Sequence, residues 1–195
     1  MKKENFIITI SGTPGSGKST IAKNLVKIFN AKRVYVGGIR RDMAKEKGMT
    51  LMELNQYALT NPEADVDVDK KVNAEIKKLA KKFPVIVEGR TQFHFFPDSI
   101  KLYIKADLEE GAKRIWLSLQ KPANKAKRNE ARVNSLKELM EKIINREKND
   151  LKRYKKYYNL NHTDKSHYDF IIDTTHINAK QATQKVVNFI QNCLK

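Results

Sequence analysis

Residues 12–19 read GTPGSGKS, directly after the apolar run FIITI at residues 6–10 and Ser11. The spacing is G-x-x-x-x-G-K-S, and it constrains this chain more than any other feature, because such a loop needs a strand before it and a helix after it. FIITI is short and β-branched, as a buried parallel strand is. Ile21, Leu25, Val26 and Phe29 then recur at helical spacing. Between the two, successive N–H groups at a helix N-terminus gather into one concavity that suits phosphate oxygens. Gly15 and Gly17 are expected to take backbone angles other residues resist and to leave room for a ligand. The candidate nucleotide-binding set is therefore Gly12, Thr13, Pro14, Gly15, Ser16, Gly17, Lys18, Ser19 and Thr20. Lys18 is expected to reach the β- and γ-phosphates of ATP, and the Ser19 hydroxyl to ligate Mg²⁺.

The rest of the chain alternates strands with helices. RVYV (33–36) reads as a second strand ended by Gly37-Gly38, followed by a helix that Gly48 stops. TLMELNQYAL reads as another helix, with Thr50 as N-cap and Glu53 three residues on, a capping box. Val68, Val72, Ile76 and Leu79 form one apolar helical stripe. PVIVEGR (84–90) and IKLYIKA (100–106) read as strands, with Asp107 placed to cap the helix LEEGAKRIWLSL. Apolar periodicity is lost over 121–135, a long helix is expected from about Ser135 to Tyr158, and YDFIID (168–173) with NAKQATQKVVNFIQNCL closes the chain as strand and helix. This order predicts an α/β fold with a parallel sheet and a ligand site at the strands' carboxyl ends. The glycine-rich loop, GGIRR and EGR all fall at such ends.

A chain of 195 residues suits one domain, and 40% apolar content supports a real core. Cys193 stands alone, which excludes an internal disulfide and favours a reducing compartment, so a cytoplasmic location is expected. The N-terminal apolar run is too short for a signal peptide, and no segment has the roughly 20 apolar residues of a membrane span. The net charge of +17, from 39 basic and 22 acidic residues, favours anionic partners. Residues 121–156 hold 13 basic and 5 acidic side chains, a net +8, nearly half of the total. Within them Arg146, Asp150 and Arg153 are four and three apart and share one helix face. Phosphoryl transfer rests on charge positioning, so a kinase needs cations that close over the phosphates, and a basic lid that excludes water.

These pieces resemble the nucleoside monophosphate kinases, and most of all the short, archaeal-type cytidylate kinases. GTPGSGKST, GGIRRDMAKEKGMTL, IVEGR and REKNDLKRYKKYY carry the likeness, which spans nearly the whole chain. The resemblance implies a five-stranded parallel sheet of order 2-3-1-4-5 and transfer of the ATP γ-phosphoryl group to CMP or dCMP. It implies one kinase domain, with a core of 1–36, 84–120 and 160–195, an acceptor segment over about 37–83, and a lid over about 121–135 ahead of the helix 135–158. It gives Arg41 to the acceptor phosphate, Arg90 to the acceptor phosphate or base, and Asp150 to the ribose hydroxyls. Arg146 and Arg153 would close on the phosphates, so that Lys18, Arg146 and Arg153 form the catalytic set and Arg41, Arg90, Asp150 and Arg153 the substrate set. Arg114 is a weaker candidate, and Asp173-Thr174-Thr175 resembles a loop near adenine. A monomer is expected, with no membrane and no need for nucleic acid.

Other residues read less sharply. Glu88 either holds Mg²⁺ through water or closes its strand. Tyr154, Tyr157 and Tyr158 are expected to pack rather than touch ligand. Asp65, Asp67 and Asp69 alternate with apolar residues and are expected to face solvent. The resembling family usually has an acidic residue where Gly38 stands, and its lid is shorter and less basic than QKPANKAKRNEARVN. His94, within QFHFF, reads as part of a packed core turn. Two other classes stay open: another small P-loop kinase, of adenylate or shikimate kinase type, and an RNA-associated nucleotide-binding protein suggested by the charge. Against the latter, no aromatic–basic platform for single strands is visible.

Overall fold

The computed structural model describes residues 5–121 and 133–195. Five strands, β1 (Ile7–Gly12), β2 (Lys32–Tyr35), β3 (Val85–Glu88), β4 (Ile100–Lys105) and β5 (Phe170–Asp173), form one sheet in the order β2-β3-β1-β4-β5. Every pairing is parallel, with Ile8 opposite Ile86 and Ile100. The helices are α1 (Lys18–Ile28), α2 (Val36–Glu46), α3 (Leu51–Tyr57), α4 (Glu63–Ala80), α5 (Gln92–Phe95), α6 (Leu108–Leu119), α7 (Leu136–Tyr158) and α8 (Ala179–Cys193). The arrangement is the parallel α/β sheet expected from the alternation of strands and helices, with the strand order 2-3-1-4-5 that the resemblance implies.

The two-residue period of the strands divides the core between both faces of the sheet. Ile8, Ile10 and Ile86 face one side and pack with Ile21 and Leu25 of α1 and Val186 and Ile190 of α8. Val85 and Val87 face the other, against Val72 and Ile76 of α4, with Val68 and Leu79 of the same stripe packed beside them. A smaller cluster of Ala112, Ile115, Leu139 and Ile143 joins α6 to α7. With both faces covered, the carboxyl edge of the sheet is where a ligand reaches it.

Three local expectations change. Gly37 and Gly38 do not end β2 in a turn but lie in the first turn of α2. A Cβ on Gly38 would stand 2.6 Å from Cδ1 of Tyr35, so the residue is bare because the Tyr35 ring lies on it. QFHFF forms the single helical turn α5, with Phe93 buried and His94 exposed, its ring 5.2 Å from that of Phe95. Asp107 occupies the N-cap of α6, but its side chain makes no cap bond. The capping box does form: the Thr50 hydroxyl accepts from the Glu53 N–H, and the Glu53 carboxylate accepts from the Thr50 N–H. Of the lid expected over 121–135, residues 122–132 lie outside the described residues. No helix among the described residues is long and apolar enough to cross a membrane.

Candidate active site

The glycine-rich loop joins β1 to α1 and is tied down at both ends. The Thr13 N–H donates to the Ile104 carbonyl at 3.1 Å, and the Thr13 hydroxyl accepts from the Ala106 N–H at 2.9 Å. The Thr174 hydroxyl, just past β5, donates to the Ser16 carbonyl at 2.9 Å. Gly15 and Gly17 have φ of +75° and +87°, the left-handed region where side chains are strained. Only Gly17 leaves open space around it. A Cβ on Gly15 would stand 2.1 Å from the Gly111 carbonyl oxygen, so that glycine is bare for the backbone of α6 and not for a ligand. Pro14, Gly15, Gly17, Lys18, Ser19 and Thr20 line a cleft of about 760 Å³. Thr13 and Ser16, also expected to contact nucleotide, carry the bonds that anchor the loop.

Lys18 opens α1 with its amine folded back onto the Thr13 carbonyl and, at 3.4 Å, the Ser16 hydroxyl. Burial lowers its pKa to about 7, helped by the cations Arg90 and Arg146 and opposed by Glu88. One residue on, the Ser19 hydroxyl donates to Glu88 Oε1 at 2.5 Å, and Arg33 is paired with the other carboxylate oxygen. Two hard oxygens at the mouth of a phosphate cradle fit Mg²⁺, which takes few protein ligands and completes its shell with water and phosphate. Among the described residues, no cluster of three or more His, Cys, Asp or Glu is arranged to hold a metal by itself.

The opposite wall of the cleft is a charge network drawn from four elements. Arg41 on α2 is nearly buried and donates to the Tyr35 hydroxyl and the Gly37 carbonyl, both at 2.8 Å. Past β3, Arg90 is paired with Asp150 of α7, whose other oxygen takes Arg153, with Arg146 Nε 3.9 Å away. Burial raises the Asp150 pKa, but Arg90, Arg153 and Arg146 together hold it well below the usual carboxylate range. Arg153 is 1% exposed and reaches on to Asp65 at 2.5 Å. Asp65 also takes Arg40, which further donates to the Ala64 carbonyl and Asn55 Oδ1, both at 3.0 Å.

This geometry corrects several expectations. Asp65 and Asp69 do not face solvent; each is buried and lines the cleft, while Asp67 remains exposed with Lys70. Residues four apart on a helix share a face, and that face of α4 meets the arginines rather than water. Asp69 accepts from the Tyr158 hydroxyl at 2.7 Å, Gln92 Nε2 at 2.9 Å and the Thr91 hydroxyl at 3.2 Å. Arg153 borders the cleft with its guanidinium held between the carboxylates of Asp65 and Asp150. Asp150, expected at the ribose, has both oxygens occupied by arginines. Tyr157 and Tyr158 pack as expected, bonded to the Ala58 carbonyl and Asp69, while Tyr154 is buried and still borders the cleft. Arg114 lies off the cleft and ties α6 to the turn after β5 through the Thr174 carbonyl at 2.7 Å.

Lys18, Ser19, Arg41, Glu88, Arg90, Arg146, Asp150 and Arg153 thus border one cleft. Arg33, Arg40 and Asn55 border it too and escaped the sequence reading, as do Asp65 and Asp69, which were expected to face solvent. The four-residue spacing of Asp65 and Asp69 was the available signal.

The family model described as an AAA domain matches residues 8–135. Among curated relatives, the cytidylate kinase of Thermococcus kodakarensis is 38% identical over 177 residues, covering 90% of this chain and 83% of that one. The cytidylate kinase of Methanopyrus kandleri is 37% identical, covering 88% and 86%. That of Methanocaldococcus jannaschii is 36% identical, covering 97% and 100%. Solved structures share the fold at lower identity: shikimate kinase from Bacteroides thetaiotaomicron has a TM-score of 0.60 at 14% identity, covering 95% of this chain and 98% of that chain. An uncharacterized protein from Eubacterium ventriosum has a TM-score of 0.66 at 19% identity with the same coverage.

Proposed function

This chain belongs to the cytidylate kinases, and from that premise we propose that it transfers the γ-phosphoryl group of ATP to CMP or dCMP, giving ADP and CDP or dCDP. One observation carries the reading: the phosphate cradle at Gly17–Thr20 and the arginines Arg41, Arg90 and Arg146 line the same cleft. The donor therefore binds at one end, with its terminal phosphate directed toward cations that hold the phosphate of an acceptor.

Transfer of a phosphoryl group is mainly positioning and charge stabilisation. The loop N–H groups and Lys18 hold the donor phosphates, and a bound polyanion keeps Lys18 protonated despite its burial. Mg²⁺, held by the Ser19 hydroxyl with Glu88 beside it, would neutralise charge on the β- and γ-phosphates. Arg41 takes the acceptor phosphate, and Arg90 and Arg146 stand between the two phosphate groups. Asp150 and Arg153 act beneath them: the carboxylate holds Arg90 in place, and Arg153 anchors that carboxylate to α4 through Asp65. The segment 37–83, which carries α2, α3 and α4, forms the acceptor side, and the strands with the P-loop form the donor side.

The shikimate kinase likeness extends to the fold alone, whereas the cytidylate kinases are 36–38% identical over 88–97% of the chain. Steady-state kinetics with CMP, dCMP, UMP, AMP and GMP tests the reading. CMP or dCMP should give the highest kcat/KM. AMP as the best acceptor would make the chain an adenylate kinase in function and leave the donor site intact.

A further inference from the structure

Asn55 lies on α3, is 3% exposed, and borders the cleft. Its carbonyl oxygen accepts from Arg40 at 3.0 Å, which fixes the orientation of the amide. Its Nδ2 is buried and has no partner among the described residues. A buried amide donor left unmet costs free energy, so such groups normally have a partner. The backbone behind it is held firmly: the Thr50 capping box starts α3, and the Tyr157 hydroxyl donates to the Ala58 carbonyl at 2.7 Å just past its end. The Arg40 bond thus aims the amide, and the capping box and the Tyr157 bond hold the helix that carries it.

The surroundings bear on the chemistry of a partner for this amide. Arg40 joins Asn55 to Asp65, and Asp65 and Asp69, one turn apart on α4, border the same cleft. The cations that suit phosphate, Arg41, Arg90 and Arg146, are separate residues. An amide donor in a cleft that the carboxylates of Asp65 and Asp69 also border complements a planar edge carrying acceptors beside an amino donor. Cytosine presents that edge: O2 and N3 accept, and the C4 amino group donates.

We infer that Asn55 reads the acceptor base, donating from Nδ2 to the O2/N3 edge of the pyrimidine, and that Arg40 is the positioning residue that orients it. This rests on the CMP reading above for the identity of the base, though not for the existence of a base contact.

The test compares ligands with and without a base. Affinities of the full chain and of Asn55→Asp and Asn55→Ala are measured by calorimetry for CMP, AMP, ribose 5-phosphate and ATP. Asn55→Asp keeps the acceptor for Arg40 and replaces only the amide donor; Asn55→Ala covers the case in which the added carboxylate prevents folding. The expected result is CMP binding weakened on the order of ten- to a hundred-fold, with ribose 5-phosphate and ATP unchanged. Equal losses for CMP and ribose 5-phosphate would assign Asn55 to the scaffold and overturn the inference, as would no loss for either. If AMP binds more tightly than CMP to the unaltered chain and the variants weaken AMP alone, the base-reading role stands and the CMP reading falls.

Discussion

The Ser19 hydroxyl donates to the Glu88 carboxylate at 2.5 Å, bridging 69 residues of sequence and joining the start of α1 to the end of β3. The contact places a hydroxyl and a carboxylate together at the entrance of the phosphate cradle, and Arg33 balances the charge of the carboxylate.

Removing either oxygen should raise the Mg²⁺ requirement. For Glu88→Gln and Ser19→Ala we expect divalent-ion affinity weakened about 10–100-fold. Initial rates across a Mg²⁺ titration measure this, and chelation of the metal should stop turnover in the unaltered chain. A Mg²⁺ dependence identical in all three proteins would exclude these residues from the metal site.

Lys18→Ala should abolish phosphoryl transfer, because it deletes a cation shared by two phosphates. Lys18→Met adds a stability signature. Without nucleotide, burial holds the Lys18 pKa at about 7 against an ordinary value of 10.5. Between those values the unfolded chain binds more protons than the folded one, so stability rises with pH across the window. Relative to Lys18→Met, the unaltered chain should be least stable below pH 7 and should recover toward pH 10. Urea unfolding at several pH values measures the difference, and parallel curves would contradict a buried, pKa-lowered amine.

Asp150→Asn should destabilise the fold as well as impair catalysis. It leaves Arg90 and Arg153 buried without the carboxylate between them, a loss of about 3–5 kcal/mol for a broken buried pair. The folded-state pKa of Asp150 lies below its ordinary 3.8, so this stability is present above that value and is lost as pH falls below it. The variant should therefore show a shallower acid-unfolding slope, read by circular dichroism; an unchanged urea midpoint at pH 7 would show that the network does not hold α7.

Gly15→Ala should be worse than Gly17→Ala. Both place a side chain at positive φ, a strain of roughly 1–2 kcal/mol. Only the first also drives a Cβ to 2.1 Å from the Gly111 carbonyl, backbone against backbone. Thermal unfolding and ATP affinity of the two variants should rank them in that order, and equal effects would mean the loop can move away from α6 freely.

Short-range chemistry made much of this protein legible. The β-branched runs at 7–10 and 85–87, the capping box at Thr50 and Glu53, and the G-x-x-x-x-G-K-S spacing depend on neighbours within a few residues, and each formed as read. The parallel sheet followed from alternation of strands and helices, and its order from the resemblance. Tertiary structure decided what depends on distant partners. Asp65 and Asp69 looked like solvent-facing charges because nothing near them in sequence neutralises a buried carboxylate. Arg153, 88 residues from Asp65, supplies the counter-charge there, and the Tyr158 hydroxyl, 89 residues from Asp69, donates a hydrogen bond to that carboxylate. Gly15 looked like room for a ligand because Gly111 is invisible from the loop. Burying a charge requires a counter-charge or hydrogen-bond donors at bonding distance, and only the folded chain brings those groups together.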